Sequence, residues 1–256
     1  MNVLIGADIV PTKSNEELFE NGKKEKLIGE GLSKIMDKAS YIIMNLEVPL
    51  VDKKTPIEKC GPNLIASTKS ITGLKKINPY FYTLANNHIF DQGEEGLKST
   101  CKILEVNNIS YAGVGKNLKE MRKFHIAEFG NLKLGIYCCA EHEFSIATEN
   151  SMGANPFDIL YAFDDVKGLK EKCDKVIVLY HGGKEHYRYP SPNLRRIFCK
   201  FAEVGADYII AQHTHCIGCM EEYNGAYLIY GQENFLFDNS NNEYWQTSLL
   251  IEVDIE

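Results

Sequence analysis

The sequence carries no surplus of positive charge: Lys and Arg number 28 against 35 Asp and Glu, a formal net charge of −7. A protein whose main partner is a nucleic-acid backbone needs a basic surface, so that class of function is set aside. No apolar run approaches the roughly 18 consecutive residues that a membrane helix requires. The opening residues, MNVLIGADIV, have neither the basic segment nor the apolar stretch of a signal peptide. These absences predict a cytoplasmic protein without a membrane segment. There is no internal repeat and no low-complexity run. A C-x-x-C pair occurs at Cys216 and Cys219 with no second pair to match it, which is a weak zinc signal. Most of the eight cysteines sit in apolar segments, and without a secretory signal they read as buried free thiols.

What is present is an ordinary globular composition, with 256 residues, 44% hydrophobic and 25% charged, enough to bury a sizeable core. The chain reads as a single domain over residues 1–256. Short apolar runs alternate with amphipathic stretches, the pattern of an α/β protein. Strand-like runs are Val3 to Val10, Tyr41 to Val48, Tyr80 to Ala85, Leu132 to Cys139, Val176 to Tyr180 and Tyr208 to Ala211. Tyr227 to Tyr230 and Ser248 to Val253 follow without a helical stretch between them, so the tail is expected to be antiparallel and the sheet mixed. The clearest helix spans about Pro192 to Val204, with Ser191 as its cap, proline at its first position and Gly205 at its end. Others are expected near Glu94 to Val106 and, interrupted by Gly73, near Thr68 to Ile77. Glu141 to Phe163 reads as a long loop.

Six metal-competent residues fall at or just past the ends of these strands: Asp8, Glu47, Asn87, His181, His213 and His215. In α/β sheets the carboxyl ends of the strands form the ligand crevice, so side chains there can converge. Taken singly, an Asp after a strand is ordinarily a turn or cap residue and a lone His is ordinarily structural. Six at strand exits point to a site, and their mixed nitrogen and oxygen donors suit zinc, manganese or iron. Cys216 is expected to pack inward and His125 to be a half-buried strand residue. The long loop could bring His142 to the site, though no spacing demands it, and His186 in KEHYRY reads either as a substrate contact or as a solvated loop residue.

The motifs resemble the CapA family of poly-γ-glutamate capsule synthesis proteins, a branch of the calcineurin-like metallophosphoesterase superfamily. The resemblance runs nearly end to end. It is carried by GADIV at Gly6 to Val10, NLEVPL at Asn45 to Leu50, and LANNHIFDQGEEGL at Leu84 to Leu97. YAGVGKN follows at Tyr111 to Asn117, HGGKE at His181 to Glu185, GADYIIAQHTH at Gly205 to His215, and YGQENFLFD at Tyr230 to Asp238. The order NNH, HGG, H-x-H is its most specific part.

The resemblance implies a four-layer α/β/β/α sandwich with two mixed sheets and two divalent ions (manganese, zinc or iron) at its edge. Asp8 would hold the first ion and Glu47 would bridge. Asn87, His181 and His213 would complete the second site, and His215 would return to the first. His88 would assist the leaving group, oriented by Asp91. Lys184, Glu185 and Arg188 in the loop after HGG, with Lys13, are the candidate substrate-binding residues for an anionic small molecule or polyglutamate. The implied activity is metal-dependent hydrolysis of a phosphoester or γ-glutamyl amide. The alternative is a non-catalytic accessory protein that binds polyglutamate for a capsule synthase. Two departures stand out. The superfamily's Asp-x-His reads Asp8-Ile9-Val10 here, so one nitrogen ligand is absent, and Lys13 stands where many relatives carry Arg. Capsule proteins of this family are usually membrane-anchored, whereas the sequence predicts no anchor.

Overall fold

The computed structural model describes residues 1–78, 80–141, 144–237 and 243–255. Two six-stranded sheets lie face to face. The first is built from β1 (Asn2–Ile9), β2 (Tyr41–Leu46), β3 (Phe81–Thr83) and β4 (Ser110–Ala112), all parallel. A short antiparallel ladder between β5 (Val114–Gly115) and β8 (Gly153–Ala154) lies outside the two sheets. The second sheet holds β6 (His125–Phe129), β7 (Leu132–Ala140), β9 (Lys175–His181), β10 (Tyr208–Gln212), β11 (Met220–Tyr223) and β12 (Ala226–Ile229). From the C-terminal region β13 (Asn234–Leu236) and β14 (Ile251–Asp254) return to β1, pairing with its end and its beginning.

The strand runs are apolar without interruption because both faces of each sheet are covered. Side chains alternate along a strand, and so do the cores they enter. Val3 and Ile5 of β1, with Ile43 of β2, face between the sheets and meet Ile136, Ile177, Leu179 and Ile210. Leu4, Ile42 and Met44 point the other way. There they are covered by α1 (Glu16–Glu20), α2 (Lys24–Met36), α3 (Ile71–Ile77) and α4 (Gly93–Val106), through Phe19, Met36, Leu74 and Leu97. After the single-turn α5 (Leu118–Met121), α6 (Ala162–Lys170) and α7 (Pro192–Glu203) cover the outer face of the second sheet. Val166, Leu169, Phe198 and Phe201 pack there on Tyr137, Val178 and Tyr180. The result is the expected four-layer α/β/β/α sandwich with two mixed sheets.

The Ser191 hydroxyl accepts from the Leu194 amide at 3.1 Å, with proline at the start of α7, as the sequence implies. The tail departs from expectation. β11 and β14 are antiparallel, but β12 runs parallel to β10, because the hairpin to β11 turns it into the sheet from the edge. All eight cysteines are free, and Cys60 is the exposed one. Cys216 is fully buried. His125 lies half-buried in β6. Among the described residues no helix is long and apolar enough to cross a membrane.

Gly73 in α3 has a packing reason. A Cβ there would stand 2.6 Å from the Phe19 Cα of α1, a backbone contact that cannot yield without parting the two helices. Gly168, inside α6, has nothing within 4 Å of the same position. Gly73→Ala is therefore expected to destabilise by about 1–3 kcal/mol through overpacking. Gly168→Ala is expected to stabilise by up to about 1 kcal/mol through helix propensity. Urea unfolding of the two variants checks both signs.

Candidate metal centre at the strand ends

Parallel strands bring their carboxyl ends to one edge, and the two sheets present those ends together. Asp8 closes β1 opposite Asn45 of β2, and Glu47 follows β2. Asn86, Asn87 and His88 follow β3. His181 closes β9 opposite Gln212 of β10, and His213 to His215 come directly after. Asp8, Glu47 and His181 are almost wholly buried, and His213 and His215 nearly so.

The tightest group is Glu47, Asn87, His181 and His213. His181 Nε2 stands 2.9 Å from Asn87 Oδ1 and 3.2 Å from Glu47 Oε1. The His181 and His213 rings are 5.0 Å apart. Glu47, His181 and His213 each offer a ligand atom within 4.8 Å of the others. Two donors sharing one ion at about 2.1 Å from each stand roughly 3.0–3.4 Å apart, so this spacing fits a divalent cation. Both oxygens of Glu47 are buried without a well-directed hydrogen bond, and His213 Nδ1 is likewise unpaired. A buried carboxylate in that condition is costly unless a cation meets it. The donor set and the unpaired atoms therefore suit a metal.

An amide network positions the group. Asn45 Nδ2 donates to Asp8 Oδ1 at 2.7 Å and lies 3.2 Å from His181 Nδ1. Asn86 Nδ2 donates to Asn45 Oδ1 at 3.0 Å and to the Leu46 carbonyl at 2.9 Å. Its own oxygen accepts from the His88 and Ile89 amides at 3.2 and 2.8 Å, which fixes the turn carrying Asn87. The His213 amide donates to Asp8 Oδ2 at 3.3 Å. His215 lies to the other side. Its Nδ1 donates to Asn234 Oδ1 at 2.8 Å, leaving the Nε2 lone pair available. Its ring stacks on Trp245 at 4.5 Å. His213 and His215 both have left-handed backbones, φ 85° and 48°, a strain that the surrounding bonds must hold.

Burial raises Asp8 from its usual 3.8 to about 8, and the Glu47 charge adds to the shift. Burial alone would raise Glu47 too, but the charge and proximity of His181 outweigh it and hold Glu47 below the carboxylate range. Burial opposes the charged form of His181, yet Glu47 and Asp8 overcome this and raise it. Burial pushes His213 down to about 3 and also lowers His215. His213, His215 and Glu47 thus have the protonation states that metal ligands need, whereas a cation would have to displace the protons favoured on Asp8 and His181.

Next to this cluster, His88 Nδ1 is 2.6 Å from Asp91 Oδ2. The other Asp91 oxygen pairs with the buried Lys59 ammonium, which is also 3.4 Å from His88 Nδ1. The Leu64 amide donates to Asp91 at 2.6 Å. The loop after β9 carries the remaining candidates, all exposed. Lys184 places its ammonium 4.0 Å from the centre of the Tyr187 ring. Glu185 Oε1 is 3.8 Å from His213 Nε2. The carbonyl of Arg188 accepts from the Cys219 amide at 2.8 Å, and its charge acts on Glu233. Lys13 is exposed in a groove with Asp52, Asn63 and Leu64 and, among the described residues, shares no hydrogen bond or ion pair with the ligand cluster. His186 stands with its ring 6.1 Å from His215. His142 lies outside the described residues. The ligand-competent groups among the described residues contain no cysteine.

The supporting Asn45, Asn86 and Asn234 stand inside the motifs NLEVPL, NNH and QEN, but a single asparagine gives no sign of which side chain it will face. Lys59 in an irregular segment and Trp245 in a short 3-10 helix (Glu243–Gln246) have no such signal.

The sequence profile of the family described as "Bacterial capsule synthesis protein PGA_cap" matches residues 3–239. The chain is 27% identical over 216 residues to the capsule biosynthesis protein CapA of Bacillus anthracis, covering 81% of this chain and 53% of that protein. It is 27% identical over 236 residues to the PGA biosynthesis protein CapA of Bacillus subtilis (strain 168), covering 90% and 62%. The chain thus spans between about half and three-fifths of the length of these relatives. Among solved structures, a Mycoplasma pneumoniae phosphatase superposes with a TM-score of 0.56 at 16% identity, covering 91% of this chain and 72% of that one. The Haemophilus influenzae NAD nucleotidase gives 0.55 at 14%, covering 92% and 45%. These two likenesses establish the fold.

The raised Asp8 makes a testable difference in chelator-stripped protein. Its stabilising contribution is complete below its unfolded value near 3.8 and is lost as pH rises through about 8. Asp8→Asn removes that loss, while the opposite contribution of Glu47 remains in both proteins. Melting temperatures in chelator are expected to favour the variant increasingly from pH 4 to about 8. Parallel curves would show that Asp8 is not shifted.

Proposed function

The chain belongs to the PGA_cap family of bacterial capsule synthesis proteins, and from that premise we propose that it is a dinuclear metal-dependent hydrolase of poly-γ-glutamate metabolism, acting on a phosphoester or a γ-glutamyl amide. One observation carries the reading: the buried Glu47 carboxylate, with no well-directed hydrogen bond to either oxygen, faces Asn87, His181 and His213 at ligand spacing. Asp8 and His215 would hold the first ion, Glu47 would bridge, and Asn87, His181 and His213 would hold the second. When bound, two divalent ions supply Lewis acidity to a substrate oxygen and to an attacking water.

The protein's own groups account for the rest. His88 has its Nδ1 fixed by Asp91, so its Nε2 is the atom that can deliver a proton to a leaving group. Lys59 neutralises the second Asp91 oxygen and leaves the carboxylate free to orient the ring. Lys184 and Arg188 on the loop after β9, with Lys13 in its groove, form the basic surround for an anionic substrate.

Chelator-stripped protein reloaded with manganese or zinc is to be assayed on a phosphodiester, a phosphomonoester and poly-γ-glutamate. Hydrolysis of at least one is expected. Bound metal with no turnover on any of the three would replace the hydrolase with an accessory role in polyglutamate binding. His88→Ala is expected to lower kcat by about 10²–10⁴-fold with metal content unchanged. Wild-type turnover in that variant would remove His88 from the mechanism.

A further inference from the structure

The first half-site is one donor short. Val10, where the superfamily has its histidine, is buried beside Ile9 in the apolar layer under the helices, so its position is closed to a metal. We propose that Glu185 is a metal ligand, joining His215 at the first ion on the side where His213 adjoins it and supplying the donor that Val10 withholds; the inference rests on the metal-dependent reading above.

The loop that carries Glu185 is fastened to the H-x-H segment on both sides of it. The Gly182 amide donates to the Gln212 carbonyl at 3.1 Å, and the His186 amide donates to the Thr214 carbonyl at 2.7 Å. Gly183 makes the approach feasible. Its φ is +104°, and a Cβ there would lie 3.2 Å from Thr214 Cγ2. His186, at φ 60°, turns the chain away immediately after Glu185. Glu185 is thereby held against the segment bearing the two histidines.

The donor atoms agree with this placement. Glu185, His213 and His215 each offer a ligand atom within 4.8 Å of the others, and Glu185 Oε1 is 3.8 Å from His213 Nε2. The ammonium of adjacent Lys184 rests on the Tyr187 ring, 4.0 Å from its centre. On the histidine side, Asn234 directs the His215 Nε2 lone pair outward and Trp245 fixes the ring plane. A carboxylate oxygen beside an imidazole nitrogen is a donor pair that zinc, manganese and iron accept. Glu185 is half-exposed, so its carboxylate has room to turn toward the His215 nitrogen.

The test is metal binding by the full chain. Chelator-stripped wild type, Glu185→Gln and Glu185→Ala are titrated with manganese, with free ion followed by electron paramagnetic resonance and bound ion by elemental analysis after dialysis. Wild type is expected to bind two ions per chain. Both variants are expected to keep one ion at wild-type affinity and to bind the other about tenfold or more weakly. Melting temperatures in chelator, expected to be equal, show that the variants fold. Two ions bound at wild-type affinity by both variants would overturn the Glu185 assignment and leave the metal reading intact. A wild type that binds no ion would overturn the metal reading itself, and this inference with it.

Discussion

Asp8 and Glu47 place two carboxyl groups inside the protein at the ends of neighbouring strands, and much of the surrounding structure answers to that pairing. Two buried carboxylates this close cannot both stay ionised without a compensating charge. The side chains resolve the conflict unevenly. Asp8 accepts hydrogen bonds from Asn45 and the His213 amide, yet is pushed toward its neutral form. Glu47 remains charged, supported by His181 rather than by hydrogen-bond donors. A carboxylate kept ionised but not hydrogen-bonded inside a protein is prepared for a cation.

That preparation depends on amides more than on charges. Asn45 touches Asp8 and His181 at once and is held by Asn86, which also shapes the turn carrying Asn87 and His88. Asn234 performs a similar task for His215. An amide carries donor and acceptor together without net charge, so it can join a carboxylate to an imidazole without adding to the electrostatic conflict. The left-handed backbones of His213 and His215 are tolerated because this frame leaves them no alternative.

The strands were legible in the sequence because sheets covered on both faces need unbroken apolar runs, and the helix from Pro192 was legible from its cap and its single apolar stripe. α1 and α2 were not. α2 turns Leu27, Ile28, Leu32 and Met36 to the core, but Gly29, φ 78°, breaks its helical path in the middle of that stripe, and glycines at 29 and 31 argue against a helix in the sequence. The parallel setting of β12 was equally hidden, since it depends on how the β11 hairpin turns rather than on either strand's composition. At the candidate centre, the residues at strand exits could be picked out because strand ends are where parallel sheets expose side chains. Lys59 could not. It reaches His88 and Asp91 from an irregular loop, and nothing in its neighbours records that reach.

The same geometry explains why one donor can be absent without dismantling the rest. The candidate ligands come from the ends of β1, β2, β3, β9 and β10 or from the turns just beyond them, and Asp8, Asn87 and His215 are placed by separate local bonds. Removing a nitrogen at position 10 leaves the Asn45–Asp8 bond, the Asn86 turn and the Asn234–His215 bond untouched. The vacated position joins the apolar layer, where Val10 packs under the helices. The half-site built around His181 keeps its close contacts, and the half-site around His215 becomes dependent on what adjoining loops can offer. In this chain the adjoining loop follows β9, tied to the H-x-H segment by two backbone bonds. On the metal-dependent reading, the loops would tune affinity, while the sheets fix where the donor groups stand.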